Sequence, residues 1–250
     1  MMKAYSMTDI GQKRTVNQDY VFSSLEPVGN LPNLFIVADG MGGHQAGDFA
    51  SRYAVEQLVL LVKESTDTHP IAIMNKTISQ VNTMIIEKSL HEPDLYGMGT
   101  TLVMAALVEQ MLYVANIGDS RLYVINDTIL QITKDHSLVE EMVAKGELTR
   151  DSEGYYSKKN IITRAIGGAL EVTADFFELE VGKGDYIVMC TDGLTNMVSD
   201  NEIEQIMHSA ESLQQKAEQL IALANANGGR DNIAVVLIQS ESGVSEVDIC

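Results

Sequence analysis

The chain has 250 residues, 45% hydrophobic and 21% charged, with a net charge of −18 at pH 7. That acidity excludes a nucleic-acid partner, because phosphate backbones are held by basic stripes, and it argues against anionic membranes. No apolar stretch approaches the roughly 20 residues of a spanning helix, and two cysteines, Cys190 and Cys250, are too few for a disulfide framework or a zinc knuckle.

Residues 1–9 are too polar for a secretory leader, so a cytoplasmic location is expected. Residues 34–38 form an apolar run that stops at Asp39. Ala50, Ala54, Leu58 and Leu61 then recur at helical spacing, as do Ile71, Met74, Ile78, Val81 and Ile85. Residues 101–108, 111–117, 121–125 and 129–132 read as strands, with Asn126-Asp127 as a two-residue hairpin. Residues 144–160 are charged and lack periodicity, the mark of a functional loop. Two further strands, 176–181 and 186–190, flank a turn at 182–185, and Cys190 reads as a small buried hydrophobe. Leu213, Ala217, Leu220 and Ala224 mark another helix, and 233–238 the last strand. Residues 240–250 are polar and expected to fray, and Cys250 in last place offers no prenylation box. No repeat or linker interrupts the chain, so one domain over residues 1–240 with a polar tail at 241–250 is expected. Strands joined by tight turns pair antiparallel, and one-faced helices must lie on a flat layer. The expectation is an α+β fold with helices outside two packed sheets.

Four aspartates stand beside these runs: Asp39, Asp119, Asp192 and Asp231. Three leave strand C-terminal ends and the fourth precedes a strand N-terminal end. All four share one edge of the fold if the last strand runs antiparallel to its companions. Carboxylates crowd together unpaired only at a large Coulomb and desolvation cost. Magnesium and manganese remove that cost, because they prefer carboxylate, carbonyl and water oxygens. Asp39-Gly40 opens a glycine-rich stretch that feeds a helix, where backbone groups become available to ligands. That stretch has neither the ending of a Walker A loop nor the dinucleotide spacing. Asp127 and Asp185 read instead as hairpin-turn residues. Arg14 offers a planar fork suited to phosphate oxygens.

The string Gly11-x-x-Arg14-x-x-Asn17-Gln18-Asp19, followed by Val37-Ala38-Asp39-Gly40-Met41-Gly42-Gly43-His44, resembles the opening of bacterial metal-dependent protein phosphatases of type 2C. Gly97-Met98-Gly99-Thr100-Thr101, Asn116-Ile117-Gly118-Asp119-Ser120-Arg121 and Asp135-His136-Ser137 continue the series. Ile162-Thr163-Arg164-Ala165-Ile166-Gly167, Thr191-Asp192-Gly193-Leu194 and Gly229-Arg230-Asp231-Asn232 complete it, eight motifs in order along nearly the whole chain.

The resemblance implies a four-layer α-β-β-α sandwich, two mainly antiparallel sheets flanked by helix pairs. It implies hydrolysis of phosphoserine and phosphothreonine in proteins, opposing a serine/threonine kinase; a monomer is expected. Asp39 would bridge two manganese or magnesium ions and Gly40 would bind through its carbonyl. Asp192 and Asp231 would complete the first metal's shell, and Asp119 would join Asp192 at a third, weaker metal. Arg14 would hold the substrate phosphate, and Asp19 would orient metal-bound water. A metal pair about 3.5–4 Å apart lowers the pKa of a shared water enough to supply hydroxide near neutral pH. That hydroxide would attack phosphorus in line, with no phosphoenzyme.

One departure concerns Met41, where animal members carry a histidine proposed to protonate the leaving group; the general acid is thereby unassigned. His44 and His136 are read as structural, and His69, His91 and His208 as surface residues. A phosphatase of a sigma-factor antagonist would share all this chemistry and differ in partner. A non-catalytic phosphoprotein-binding module would have no need of Asp39, Asp192 and Asp231, and the acidic surface disfavours a nuclease.

Overall fold

The apolar runs stack as two sheets in the computed structural model, which describes residues 2–43, 46–150, 152–156 and 158–240. The strands are β1 (Lys3–Asp9), β2 (Asp19–Ser24), β3 (Leu34–Met41), β4 (Gly99–Thr100), β5 (Leu102–Val108), β6 (Met111–Ile117), β7 (Arg121–Ile125), β8 (Ile129–Gln131), β9 (Asp175–Glu180), β10 (Tyr186–Cys190) and β11 (Ile233–Gln239). The helices are α1 (Ala46–Glu64), α2 (Pro70–His91), α3 (Leu138–Ala144), α4 (Glu153–Tyr156), α5 (Asp192–Thr195), α6 (Asp200–Met207) and α7 (Leu213–Ala226). One sheet runs β1-β11-β10-β7-β8; the other runs β2-β3-β5-β6-β9, with β4 also paired to β3. The paired strands are antiparallel.

Side chains on a strand alternate between faces, and here both faces of the central strands are covered, so those strands read as continuous apolar runs. In β3, Phe35 and Val37 point between the sheets, where they join Val103, Leu122, Ile187, Met189 and Val236. Leu34 and Ile36 point the other way, onto a layer that includes Ala54, Leu58, Ile78 and Ile85 of α1 and α2. On the far side Val188, Val235 and Leu237 meet Ile203, Leu220 and Ala224 of α6 and α7. The order of layers is therefore helix, sheet, sheet, helix, as the resemblance implied.

Several local expectations change. β3 does not end before Asp39 but continues to Met41, because Gly40 and Met41 pair with Thr100 and Gly99. The β7–β8 connection has three residues, since Ile125 pairs with Ile129. The turn at 182–185 is not a hairpin: β9 lies in one sheet and β10 in the other, so the chain changes layers there. Asp185 secures that crossing by accepting the Gly182 N–H at 2.8 Å. β1 and β2 are absent from the sequence reading, because Lys3–Asp9 mixes polar with apolar residues and both strands are only half-buried. α6 went unread although Ser199 and Glu202 form a capping box at its start, as Ser212 and Gln215 do for α7. Residues 144–160 are not structureless, for they contain the single turn α4. The expected fraying tail, 241–250 with Cys250, lies outside the described residues. Cys190 is fully buried, and no helix among the described residues is long and apolar enough to cross a membrane.

The packing between the sheets gives a direct test. Ile187→Ala empties a fully buried position and should cost about 2–5 kcal/mol. Leu170→Ala, at a side chain 83% exposed, should stay within about 0.5 kcal/mol of the parent. Urea unfolding midpoints of the two variants check this, and equal losses would refute the assignment of the core.

Candidate metal centre

The aspartates collect at one end of the sandwich because of strand direction and register. Asp19 opens β2 directly opposite Asp39 in β3. Asp192 follows β10 and Asp231 precedes β11, and these two strands are antiparallel neighbours, as the sequence argument required. Gly193 lets the two segments touch: a Cβ there would lie 1.8 Å from the Asn232 carbonyl oxygen. Asp119 sits in the bend between β6 and β7.

Neutral side chains fix the backbone around each carboxylate. At Asp39 the β3–β5 ladder parts, and the Thr101 hydroxyl accepts the Asp39 N–H at 2.9 Å. The Asp39 carbonyl in turn accepts from the Thr101 N–H and the Thr100 hydroxyl. Thr101 Oγ1 also lies 2.7 Å from Ser120 Oγ, which ties the Asp39 strand to the Asp119 bend. Gly118, before Asp119, exchanges two hydrogen bonds with His136: its N–H donates to Nδ1 at 3.1 Å, and its carbonyl accepts the His136 N–H at 2.9 Å. Thr191 donates to Asp19 Oδ2 at 2.7 Å and accepts the Ala234 N–H. Asn232, only 3% exposed, donates to the Ile10 and Val16 carbonyls and accepts the Gln18 N–H. Thr101, Ser120, Thr191 and Asn232 all lay within the quoted motifs. No spacing argument assigned them these positions, because their partners are distant in sequence.

The carboxyl groups push one another toward protonation. Burial raises Asp39 well above the usual carboxylate range, and the charges of Asp19, Asp192, Asp119 and Asp231 raise it further. Burial likewise raises Asp19, reinforced by Asp192 and Asp231 and opposed by the Thr191 hydrogen bond. Asp119 is pushed up to about 8, by burial first and then by Asp192 and Asp135. Asp192 rises to about 6 through burial and the Asp231 charge, against the hydrogen bond from Asn196. Asp19 Oδ1 and Asp119 Oδ1 are buried with no hydrogen-bond partner. Oxygens of this kind, in a crowded acidic cluster, suit a hard cation. Among the described residues no three histidine, cysteine or carboxylate side chains already form a metal cage. The fit therefore rests on the orphaned oxygens and the shared charge, with main-chain and water oxygens left to complete a shell. Magnesium typically keeps several waters in this way.

Arg14 pairs with Asp231, Nη2 to Oδ2 at 2.7 Å, with its side chain 47% exposed. The arginine that the resemblance places on phosphate thus rests on a candidate metal ligand. Gly40 lies under α1, where a Cβ would come 1.9 Å from the Gly47 carbonyl oxygen. Lys159 and Asn160, from the segment expected to be a functional loop, line a cavity of about 150 Å³ together with Asp119 and Asp192. His136 is 7% exposed, and its Nε2 lies 3.3 Å from Asp175 Oδ2; burial pushes its pKa down. His69, His91 and His208 are exposed, and His44 lies outside the described residues.

Residues 11–237 match the family model described as protein phosphatase 2C. The serine/threonine phosphatase stp of Listeria monocytogenes is 41% identical over 251 residues, covering 96% of each chain. Protein phosphatase PhpP of Streptococcus pneumoniae is 41% identical over 249 residues, 95% of this chain and 97% of its own. The serine/threonine phosphatase of S. agalactiae superposes with a TM-score of 0.90 at 37% identity, over 96% of this chain and all of the other. The catalytic domain of the serine threonine protein phosphatase PstP, solved in complex with two manganese ions, superposes with a TM-score of 0.83 at 33% identity, over 95% of this chain and 97% of its own. With its fold, its carboxylate edge and these full-length likenesses in agreement, the chain belongs to the protein phosphatase 2C family.

Proposed function

We propose that this serine/threonine phosphatase hydrolyses phosphoserine and phosphothreonine in proteins with the help of divalent cations held at the carboxylate edge. The observation that carries the reading is the pair of buried, partnerless oxygens on Asp19 and Asp119 within a cluster of mutually raised carboxyl groups. The two manganese ions named for the PstP structure support it. Asp39, Asp192, Asp231 and the Gly40 carbonyl would hold two manganese or magnesium ions, and Asp119 with Asp192 a weaker third. When bound, these cations supply Lewis acidity and an acidified water as nucleophile.

The chain's own residues do the rest. Asp19, held by Thr191 through one oxygen, would use the other, which has no partner, to accept a hydrogen bond from the attacking water. Arg14 contributes a guanidinium that can leave its half-exposed pair with Asp231 at little cost, since such pairs are worth about 1 kcal/mol or less. Its fork then grips non-bridging phosphate oxygens, which gain charge as the bond to the leaving oxygen breaks. Met41 cannot donate a proton, so the leaving alkoxide must take one from water or from another group at the mouth. The substrates are products of serine/threonine kinases, and the enzyme acts in the cytoplasm as a monomer.

Asp39→Asn and Asp192→Asn should each abolish most phosphopeptide turnover at saturating manganese while leaving the circular dichroism spectrum unchanged. Near-normal turnover in either variant would overturn the metal assignment.

Arg14→Ala should lower kcat/KM about tenfold to a hundredfold, the loss of a charge-assisted contact of about 1.5–3 kcal/mol. Arg14→Lys should recover only part of this, because a point charge lacks the fork. Steady-state kinetics equal to the parent's in both variants would return Arg14 to the status of a rim charge.

Asp119 gives a pH test in the metal-free protein. Its folded-state pKa of about 8 lies above the ordinary 3.8, so the folded form binds the proton more tightly. That contribution to stability is complete below about 4 and is lost as pH rises through about 8. In EDTA the melting temperature should fall between about pH 5 and pH 8.5, and Asp119→Asn should flatten the decline. Manganese should reverse it, and Asp119→Ala should keep two tight manganese sites by calorimetry yet lose the weakest one, with reduced turnover. An unaltered pH profile and three retained sites would show Asp119 to be a bend residue alone.

A further inference from the structure

Beside the carboxylate edge lies a groove of about 830 Å³ that the metal chemistry does not use. Arg14 and Val16 form one wall, Gly42 and Gly43 a second, and Asp94 and Tyr96 a third. The first two walls belong to segments that carry candidate site residues, namely the stretch leading to Asp19 and the one leaving Asp39 and Gly40. The groove is therefore continuous with the place where a phosphate would sit on Arg14. Its third wall comes from the turn after α2, which has no part in that chemistry.

The third wall is built to be fixed. Pro93–Leu95 forms a single 3-10 turn whose Leu95 is 9% exposed. The Tyr96 N–H bonds the Pro93 carbonyl and the Met98 N–H bonds the Leu95 carbonyl, and Met98 is 1% exposed. Gly97 takes a left-handed backbone, φ +74°, and its N–H donates to Ser89 Oγ at 2.9 Å. Between these anchors Tyr96 stands 77% exposed, with Asp94 also exposed. A lone exposed aromatic means little. Here it shares a concave surface with Val16, itself 36% exposed, and with a carboxylate, next to the phosphate-gripping arginine. A tyrosine on a rigid turn offers contact area at small entropic cost.

We infer that this groove is the subsite for the substrate chain flanking the phosphoresidue, and that Tyr96 and Asp94 select a lysine or arginine there. The inference rests on the phosphatase reading above. The face of a tyrosine and a carboxylate both attract a cation. Arg14 is occupied by phosphate during turnover, so it does not oppose that preference. The net charge of −18 penalises acidic flanks in addition.

The test uses the full chain with manganese, p-nitrophenyl phosphate, and phosphothreonine peptides flanked by lysine, alanine or glutamate. For the parent, kcat/KM should fall in the order lysine, alanine, glutamate. Tyr96→Ala should lower kcat/KM on the lysine peptide about threefold to tenfold, chiefly through KM. Asp94→Lys should abolish or invert the order, and both variants should turn over p-nitrophenyl phosphate like the parent. An order unchanged in both variants, a parent preference for the glutamate peptide, or equal losses on peptide and small ester would each overturn the subsite. Failure of the parent itself to hydrolyse p-nitrophenyl phosphate would instead strike the phosphatase reading, and the subsite with it.

Discussion

Crowded negative charge is the constraint around which this molecule is arranged. Asp19, Asp39, Asp119 and Asp192 are each raised by burial and by other carboxylates of the cluster. Such a cluster would spread apart if it stood on mobile loops. It is kept together because each aspartate lies in, or next to, a strand whose partners are fixed by an apolar layer between the sheets. The core thus does more than stabilise the fold: it holds like charges at a separation they would not choose, and the proposed cation sites rest on that arrangement.

The groups that position the carboxylates are nearly all neutral. Thr101, Thr191, Ser120 and Asn232 hold backbone and carboxyl oxygens without cancelling charge. A lysine or arginine in their places would neutralise the cluster from within and compete with a metal. The cation that does touch it, Arg14, stands on the half-exposed rim, where an ion pair is weak and exchangeable. The guanidinium is thereby kept beside the carboxylates without being locked into the scaffold.

Much of this was legible in the sequence, for identifiable reasons. Asp39, Asp119, Asp192 and Asp231 could be placed on one edge because buried strands advertise themselves as apolar runs and their ends locate the adjoining residues. Asp19 and Arg14 had no such run beside them: Arg14 stood out by its chemistry and its neighbours, and Asp19 only through the family resemblance. β2, which seats Asp19 opposite Asp39, is short and half-buried and left no clear periodic signal. The change of sheet at 182–185 was equally hidden, since a tight turn looks the same whether its strands pair or part company. The pairing of Arg14 with Asp231 joins positions 217 apart in sequence, beyond the reach of any local pattern.

The position of β11 has a bearing on how the enzyme is made. This strand lies between β1 and β10, pairing with the first strand of the chain on one side. Asp231 and Asn232, at its start, are the last of the site residues to be translated, and Asn232 is the knot that gathers the carbonyls of Ile10 and Val16. Until they emerge, β1 and β10 lack the strand that joins them, and the loop bearing Arg14 lacks the Asn232 bonds to Ile10, Val16 and Gln18. Contacts between such distant positions close slowly. During synthesis the chain acquires β11, and with it Asp231 and Asn232, after the other strands of its sheet. Among the described residues, the strand that comes last in chain order is the one that closes this sheet beside the carboxylates.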